Sequence, residues 1–69
     1  MKITKEQLCP SCRTLRHRND DGSLGLSIEE WLDCNGYNMP NGHILLNSRI
    51  LWYLEEDGGC ERCKSLFRS

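Results

Sequence analysis

The feature that most constrains this sequence is a pair of cysteines near each end, with the same spacing inside each pair. CPSC occupies residues 9–12 and CERC occupies residues 60–63. A Cys-x-x-Cys turn can point two thiolates at one ion, and two such turns supply the four sulfurs of a closed tetrahedral site. The long separation adds little closure cost, because that cost grows only logarithmically with loop length. We therefore predict one metal ion held by Cys9, Cys12, Cys60 and Cys63.

Zinc is the metal that four thiolates favour, and iron bound as in rubredoxin is the alternative. The first residues, MKITKEQ, are polar and no apolar run reaches membrane-spanning length, so we expect a cytoplasmic protein. Cysteines in a reducing compartment are more often metal ligands than disulfides, and five is an odd number for a disulfide framework. A chain of 69 residues buries little apolar surface, so we expect the metal to stabilise the fold.

Charge is distributed unevenly along the chain. Residues 1–18 carry five cations and one acid, residues 19–61 carry nine acids and one cation, and residues 62–69 carry three cations. If the cysteine pairs meet, the two basic ends meet beside the metal, and cations clustered there can neutralise phosphates. The candidate contacts to nucleic acid or to a partner are Arg13, Arg16, Arg18, Arg62, Lys64 and Arg68.

Turn and capping signals divide the segment between the cysteine pairs. The Asp-Gly turn in NDDG predicts a hairpin of Arg13–Arg18 with Ser23–Leu26. Ser27 and Glu30 have capping-box spacing, which predicts a helix over residues 28–35 that ends at Gly36. Residues 36–42 are dense in turn formers and are predicted to be a loop.

A second central helix is predicted from Arg49 to about Glu56, with Ser48 as its cap and GHILLN as a short strand before it. Asp57-Gly58-Gly59 is expected to end this helix, and CERCKSLFRS to begin a short C-terminal helix. We expect Trp31, Trp52 and Phe67 to form the core, and Tyr37 and Met39 to point outward toward a protein partner.

These features together resemble the treble-clef group of zinc fingers. In that group a Cys-x-x-Cys knuckle and a hairpin are followed by a second Cys-x-x-Cys at the start of a C-terminal helix. The resemblance covers residues 8–26 and 58–69, and the helical insertion 27–57 lies outside it. It implies a single domain over residues 1–69, a small α+β zinc-stabilised fold with one or two central helices and a short ligand-bearing helix at the C-terminus.

The remaining cysteine and the histidines are weaker candidates for chemistry. Cys34 is expected to be a small buried hydrophobe, and His17 and His43 are substitute ligands, with His17 exposed. His43 with Asn47 invites comparison with His-Asn-His nucleases, but Lys64 stands after CERC where that pattern has histidine. A closed four-thiolate site also lacks an open position for water, so we expect no enzyme activity.

The function predicted from these observations is that of a small bacterial or phage regulatory module. It would act on transcription or another nucleic-acid process mainly through a protein partner. The alternative is a zinc finger that binds DNA or RNA directly, which the sequence pI of about 6.1 disfavours. The sequence leaves the partner and the oligomeric state open.

Overall fold

The computed structural model describes residues 2–68, so Met1 and Ser69 lie outside the described residues. Within that range, a 3₁₀ turn at Lys5–Gln7 precedes five α-helices and two strands. The helices are α1 (Pro10–Arg13), α2 (Ile28–Asp33), α3 (Asn35–Asn38), α4 (Gly42–Glu56) and α5 (Glu61–Arg68), and the strands are β1 (Arg16–Arg18) and β2 (Leu24–Ser27). A small α+β architecture was predicted, and the structure agrees with it.

The hairpin predicted around NDDG is confirmed. β1 and β2 are antiparallel, Arg16 pairs with Ser27, and Arg18 pairs with Leu24, with an irregularity between the two pairs. Gly22 adopts a φ of 88° in the turn, a conformation that glycine reaches without steric cost. The first strand begins later than predicted, because Arg13 ends α1 instead of starting the strand.

The capping box at the start of α2 is also confirmed. The hydroxyl of Ser27 accepts the backbone N–H of Glu30 at 3.3 Å, and the carboxylate of Glu30 accepts the backbone N–H of Ser27 at 2.9 Å. The predicted end of this helix is wrong, because the extended Cys34 interrupts it and starts α3. Gly36 therefore lies inside α3, and part of the predicted 36–42 loop is helical.

The second central helix is longer than predicted. α4 spans 15 residues, so GHILLN is its first part instead of a strand, and Ser48 lies inside the helix instead of capping it. Ile50, Tyr53 and Leu54 recur at helical spacing on its buried side. The predicted stop after this helix is confirmed: Asp57 follows the last helical residue, and Gly58 has a φ of 84°.

A single cluster of buried side chains joins the N-terminal segment, the insertion and the C-terminal helix. Phe67 belongs to it and Trp31 packs against it, as predicted. Two predictions are wrong: Trp52 is 49% exposed, and Tyr37 is completely buried, whereas Met39 is exposed as expected. The cluster consists of Ile3, Leu8, Cys12, Ile28, Leu32, Tyr37, Ile50, Tyr53, Leu54, Cys63 and Phe67.

Tyr37 is buried because its hydroxyl has polar partners inside the fold. It accepts the backbone N–H of Ile3 at 2.7 Å and donates to the side-chain oxygen of Asn47 at 2.7 Å. A buried phenol with both interactions satisfied is stable in the core. Among the helices within residues 2–68, none has both the length and the apolar character that crossing a bilayer demands.

Candidate metal centre

The sulfurs of Cys9, Cys12, Cys60 and Cys63 lie within 4.8 Å of one another. Cys60 Sγ is 3.8 Å from Cys9 Sγ and 3.7 Å from Cys12 Sγ, and the sulfurs of Cys9 and Cys63 are 3.8 Å apart. Zinc bound tetrahedrally at about 2.3 Å from each sulfur requires sulfurs about 3.8 Å apart. The predicted meeting of the four cysteines is confirmed, and its dimensions fit a zinc ion.

The same distances distinguish a metal site from a disulfide pair. A disulfide bond joins its sulfurs at about 2.05 Å, much closer than any sulfur pair described above. All five cysteines of the chain are free thiols in the structure. The four sulfurs are therefore spaced for a shared ion instead of for bonds to one another.

Local backbone structure explains how each pair converges. Cys9 precedes α1 and Cys60 precedes α5, and each first cysteine accepts the backbone N–H of the residue four positions later. These bonds run from Arg13 to Cys9 O at 3.1 Å and from Lys64 to Cys60 O at 3.0 Å. Both pairs thus stand on the first turn of a helix, which brings the two sulfurs of a pair to one side.

Backbone N–H groups also reach every sulfur of the cluster. Across the pairs, Cys60 donates its N–H to Cys12 Sγ at 3.4 Å, and Cys9 donates its N–H to Cys63 Sγ at 3.5 Å. Within the pairs, the N–H of Cys12 bonds the sulfur of Cys9, and the N–H of Cys63 bonds the sulfur of Cys60. The two pairs therefore use the same pattern twice, and each N–H stabilises negative charge on sulfur.

The electrostatic environment divides the four thiols into two classes. The N–H of Cys63 lowers the pKa of the exposed Cys60 to about 7, and the N–H of Cys12 lowers the pKa of Cys9. Burial raises the pKa of Cys12 to about 12 and also raises the pKa of Cys63. Two buried thiolates beside two further thiolates are stable only near a positive charge. A divalent metal ion supplies that charge.

Cys34, expected to be a buried hydrophobe, and the two histidines considered as substitute ligands lie outside the cluster. Cys34 is half-buried, and its sulfur accepts the backbone N–H of Tyr37 at 3.4 Å, so it caps α3. His17 is half-buried instead of exposed, with its Nδ1 3.0 Å from the carboxylate of Asp57 and its ring stacked on Tyr53 at 4.4 Å. His43, the histidine considered for a nuclease site, packs against the ring of Tyr37 at 6.4 Å.

Three of the six cations predicted as contact residues form ion pairs within the chain. Arg16 lies 2.8 Å from Glu30, Lys64 lies 3.2 Å from Glu61, and Arg68 lies 3.0 Å from Glu61. Acids of the insertion and of α5 therefore neutralise part of the positive charge beside the cysteines.

The other three predicted cations have different surroundings. Arg13 donates to the carbonyl of Leu8 at 3.2 Å, and Arg18 donates to the carbonyl of Gly22 at 2.6 Å. Arg62 is exposed on α5. Arg13 thus stiffens the segment that leads into the first cysteine pair, while Arg18 and Arg62 keep their charge at the surface.

Sequence reasoning missed the exposed apolar side chains outside the 36–42 segment. Leu24 and Leu26 are exposed on β2, and Ile44, Leu45 and Trp52 are exposed on α4. Apolar residues surround α4, but only one side of this helix faces the core. Large exposed apolar groups near one another are typical of binding surfaces.

Comparisons of the chain with models of protein families, with curated proteins and with solved structures found no match. No family is therefore identified. The resemblance to treble-clef fingers stays a prediction. It is supported by the observed order of knuckle, hairpin and C-terminal helix bearing the second cysteine pair.

Proposed function

We propose that this chain is a zinc-stabilised, non-enzymatic interaction module that regulates transcription or another nucleic-acid process mainly through protein contacts. The observation that carries the proposal is the clustering of the four cysteine sulfurs. Four protein ligands fill a tetrahedral zinc shell, which suits a structural role because no position is open for a substrate or a catalytic water. The metal would join the two ends of the chain, and side chains on the protein surface would bind the partner.

The surface of the hairpin is suited to a protein partner. Leu24 and Leu26 are 58% and 40% exposed on β2, and Arg18 pairs with Leu24 across the hairpin. We call Arg18, Leu24 and Leu26 the hairpin surface. Apolar side chains beside an arginine are common at protein interfaces, where burial of the leucines provides affinity and the charge provides orientation.

Direct binding of DNA or RNA is the second candidate, and the charges support it less well. Arg16, Lys64 and Arg68 are paired with glutamates, so contact with phosphate would require them to leave existing partners. Arg18 and Arg62 are exposed and could contact phosphate. Two exposed cations among the six predicted contacts would neutralise few phosphates, and counterion release would then contribute little affinity.

A capture experiment tests the protein-contact proposal. Zinc-loaded protein is immobilised and exposed to a lysate of the cells that carry its gene, with and without nuclease treatment. We expect a component of the transcription or nucleic-acid machinery to be retained by the wild type after nuclease treatment and lost with Leu24→Asp. Ser65→Asp, which places the same charge at an exposed position of α5, is the matched control.

Other results of this experiment would change the conclusion. Retention that disappears with nuclease treatment, together with duplex DNA binding that falls steeply with salt, would replace protein contact by nucleic-acid contact. Retention that Leu24→Asp and Ser65→Asp weaken equally would remove the hairpin surface from the proposal. If nothing is retained and no nucleic acid binds at low salt, the regulatory role is wrong.

A further inference from the structure

Helix α4 carries an apolar face directed away from the core. Leu45 is 79% exposed and Trp52 is 49% exposed, although both are large hydrophobic residues. They are seven residues apart, which places them two turns apart on the same side of the helix, about 10 Å along its axis. Ser48 and Arg49 lie between them, and we call Leu45, Ser48, Arg49 and Trp52 the α4 face.

The α4 face has the shape of a shallow groove. Leu45, Leu46, Ser48, Arg49 and Trp52 line a surface depression of about 730 Å³. Ser48 is exposed between the two large side chains, so the middle of the face carries only a small side chain. A groove with apolar walls and a small residue at its centre allows another helix to approach closely.

We propose that the α4 face binds a second copy of this chain, with the two α4 helices antiparallel. α4 runs from Gly42 to Glu56, so a two-fold axis between residues 48 and 49 lies near its midpoint. In that arrangement Leu45 of each copy lies opposite Trp52 of the other copy. The same contact is therefore made twice, as a self-complementary two-fold interface requires.

The charges at the ends of α4 support an antiparallel second copy. The first turn contains no acidic residue, and the side chain of Asn41 makes no capping hydrogen bond. The last turn contains no basic residue, and Glu55 and Glu56 are exposed there. Antiparallel pairing brings Glu56 of one copy close to the N-terminus of the other α4, where a negative charge is favourable.

The charge of Arg49 provides a way to test this arrangement. Its guanidinium donates to the hydroxyl of Tyr53 at 3.3 Å, and within residues 2–68 no carboxylate forms an ion pair with it. The two copies of Arg49 lie across the two-fold axis from each other and close to it, on the same flank of the interface. They repel each other weakly, so pairing Arg49 with an acid at the same position should strengthen the contact.

The first experiment measures self-association. Sedimentation equilibrium of the zinc-loaded chain over micromolar to millimolar concentrations should show a reversible monomer–dimer equilibrium. Leu45→Glu should raise the dimer dissociation constant at least about tenfold, because it places a charge against the indole of the second copy. Met39→Glu, at a large exposed side chain outside both the α4 face and the hairpin surface, should leave the constant unchanged.

The second experiment tests whether Arg49 of each copy lies beside the two-fold axis. Wild type and Arg49→Glu are mixed, and the species are counted by native mass spectrometry. We expect mixed dimers to exceed the statistical proportion by at least about twofold, because only the mixed pair sets opposite charges beside the axis. Arg62→Glu mixed with wild type should give the statistical proportion, since Arg62 lies on α5 and outside the α4 face.

The outcomes separate this inference from the proposed function. Circular dichroism and zinc content confirm first that each variant folds. A chain that stays monomeric throughout the concentration range, or one for which Met39→Glu matches the effect of Leu45→Glu, overturns the proposed dimer. Statistical mixing with Arg49→Glu overturns the placement of the two-fold axis beside Arg49. None of these results affects capture through the hairpin surface, which uses different residues.

Discussion

The hydroxyl of Tyr37 accepts a hydrogen bond from the backbone N–H of Ile3 at 2.7 Å, across 34 positions of the sequence. Ile3 and Tyr37 are both buried, so this bond joins the segment that precedes Cys9 to the helical insertion. Burial also raises the pKa of Tyr37, so the phenol stays protonated and donates to Asn47. The insertion is thereby part of the same core as the cysteine-bearing ends.

Tyr37→Phe should destabilise the protein although it removes only one oxygen atom. The buried N–H of Ile3 would lose its acceptor, a change that costs about 1–3 kcal/mol of unfolding free energy. Urea unfolding of the zinc-loaded protein measures the effect. Tyr53→Phe is the matched control, because the hydroxyl of Tyr53 accepts from the exposed guanidinium of Arg49 at 3.3 Å and its loss should matter much less.

Removal of a single ligand should cost both the metal and the fold. We expect Cys9→Ser and Cys63→Ser to lose stoichiometric zinc and most helical structure, because metal binding contributes directly to the free energy of folding. Cys34→Ser should keep one zinc ion per chain, since its sulfur caps α3. Elemental analysis with circular dichroism distinguishes these cases, and loss of zinc in Cys34→Ser alone would refute the ligand assignment.

Acid should weaken zinc binding, because protons compete with the metal for thiolates. The pKa of Cys60 lies at about 7, below its ordinary value of 9.0. The stability that its thiolate gives to the metal-free fold is therefore complete above the ordinary value and is lost as the pH falls through about 7. Burial raises the pKa of Cys12 to about 12, so zinc must displace the proton of that thiol at neutral pH.

Competition with a chromophoric chelator at a series of pH values measures this effect. The apparent affinity for zinc should fall continuously from mildly alkaline to mildly acidic solution, and the metal-loaded protein should unfold at the acid end. An affinity that stays constant across neutrality would mean that the ligands are not thiolates with these properties.

Gly42→Ala should destabilise the start of α4 because the backbone of α3 approaches it closely. An added Cβ would overlap the carbonyl oxygen of Gly36 and would lie 2.9 Å from the carbonyl carbon of that residue. Gly36→Ala is the control, because the nearest atom to its Cβ would be in the side chain of Leu46 at 3.8 Å. Thermal unfolding should show a clearly lower midpoint for Gly42→Ala and little loss for Gly36→Ala.

The sequence-based predictions that the structure confirms rest on local chemistry. The capping box of Ser27 and Glu30, the Asp-Gly turn that closes the hairpin and the glycine stop after α4 each depend on residues a few positions apart. The four-cysteine cluster was also predictable, because few arrangements other than a shared ion account for two identical pairs of thiols.

The failures concern residues whose surroundings come from distant parts of the chain. Tyr37 was expected outside because its segment is rich in turn formers, but its hydroxyl partners, Ile3 and Asn47, are not its sequence neighbours. Trp52 was expected in the core because its sequence neighbours are apolar, but the opposite side of α4 packs against the core. α2 ends early at Cys34, because the backbone of Cys34 is extended and its sulfur caps the start of α3.

The sequence by itself thus determined where the hairpin turns, where α2 begins, where α4 ends and which four thiols meet. Those features follow from backbone sterics, from capping hydrogen bonds and from the coordination preference of a metal, all of which act through residue type and spacing. Only the tertiary structure decided which side of α4 is covered, that Tyr37 is buried and that half of the predicted basic contacts are paired with acids. Burial and ion pairing depend on long-range packing, and packing is a property of the whole fold.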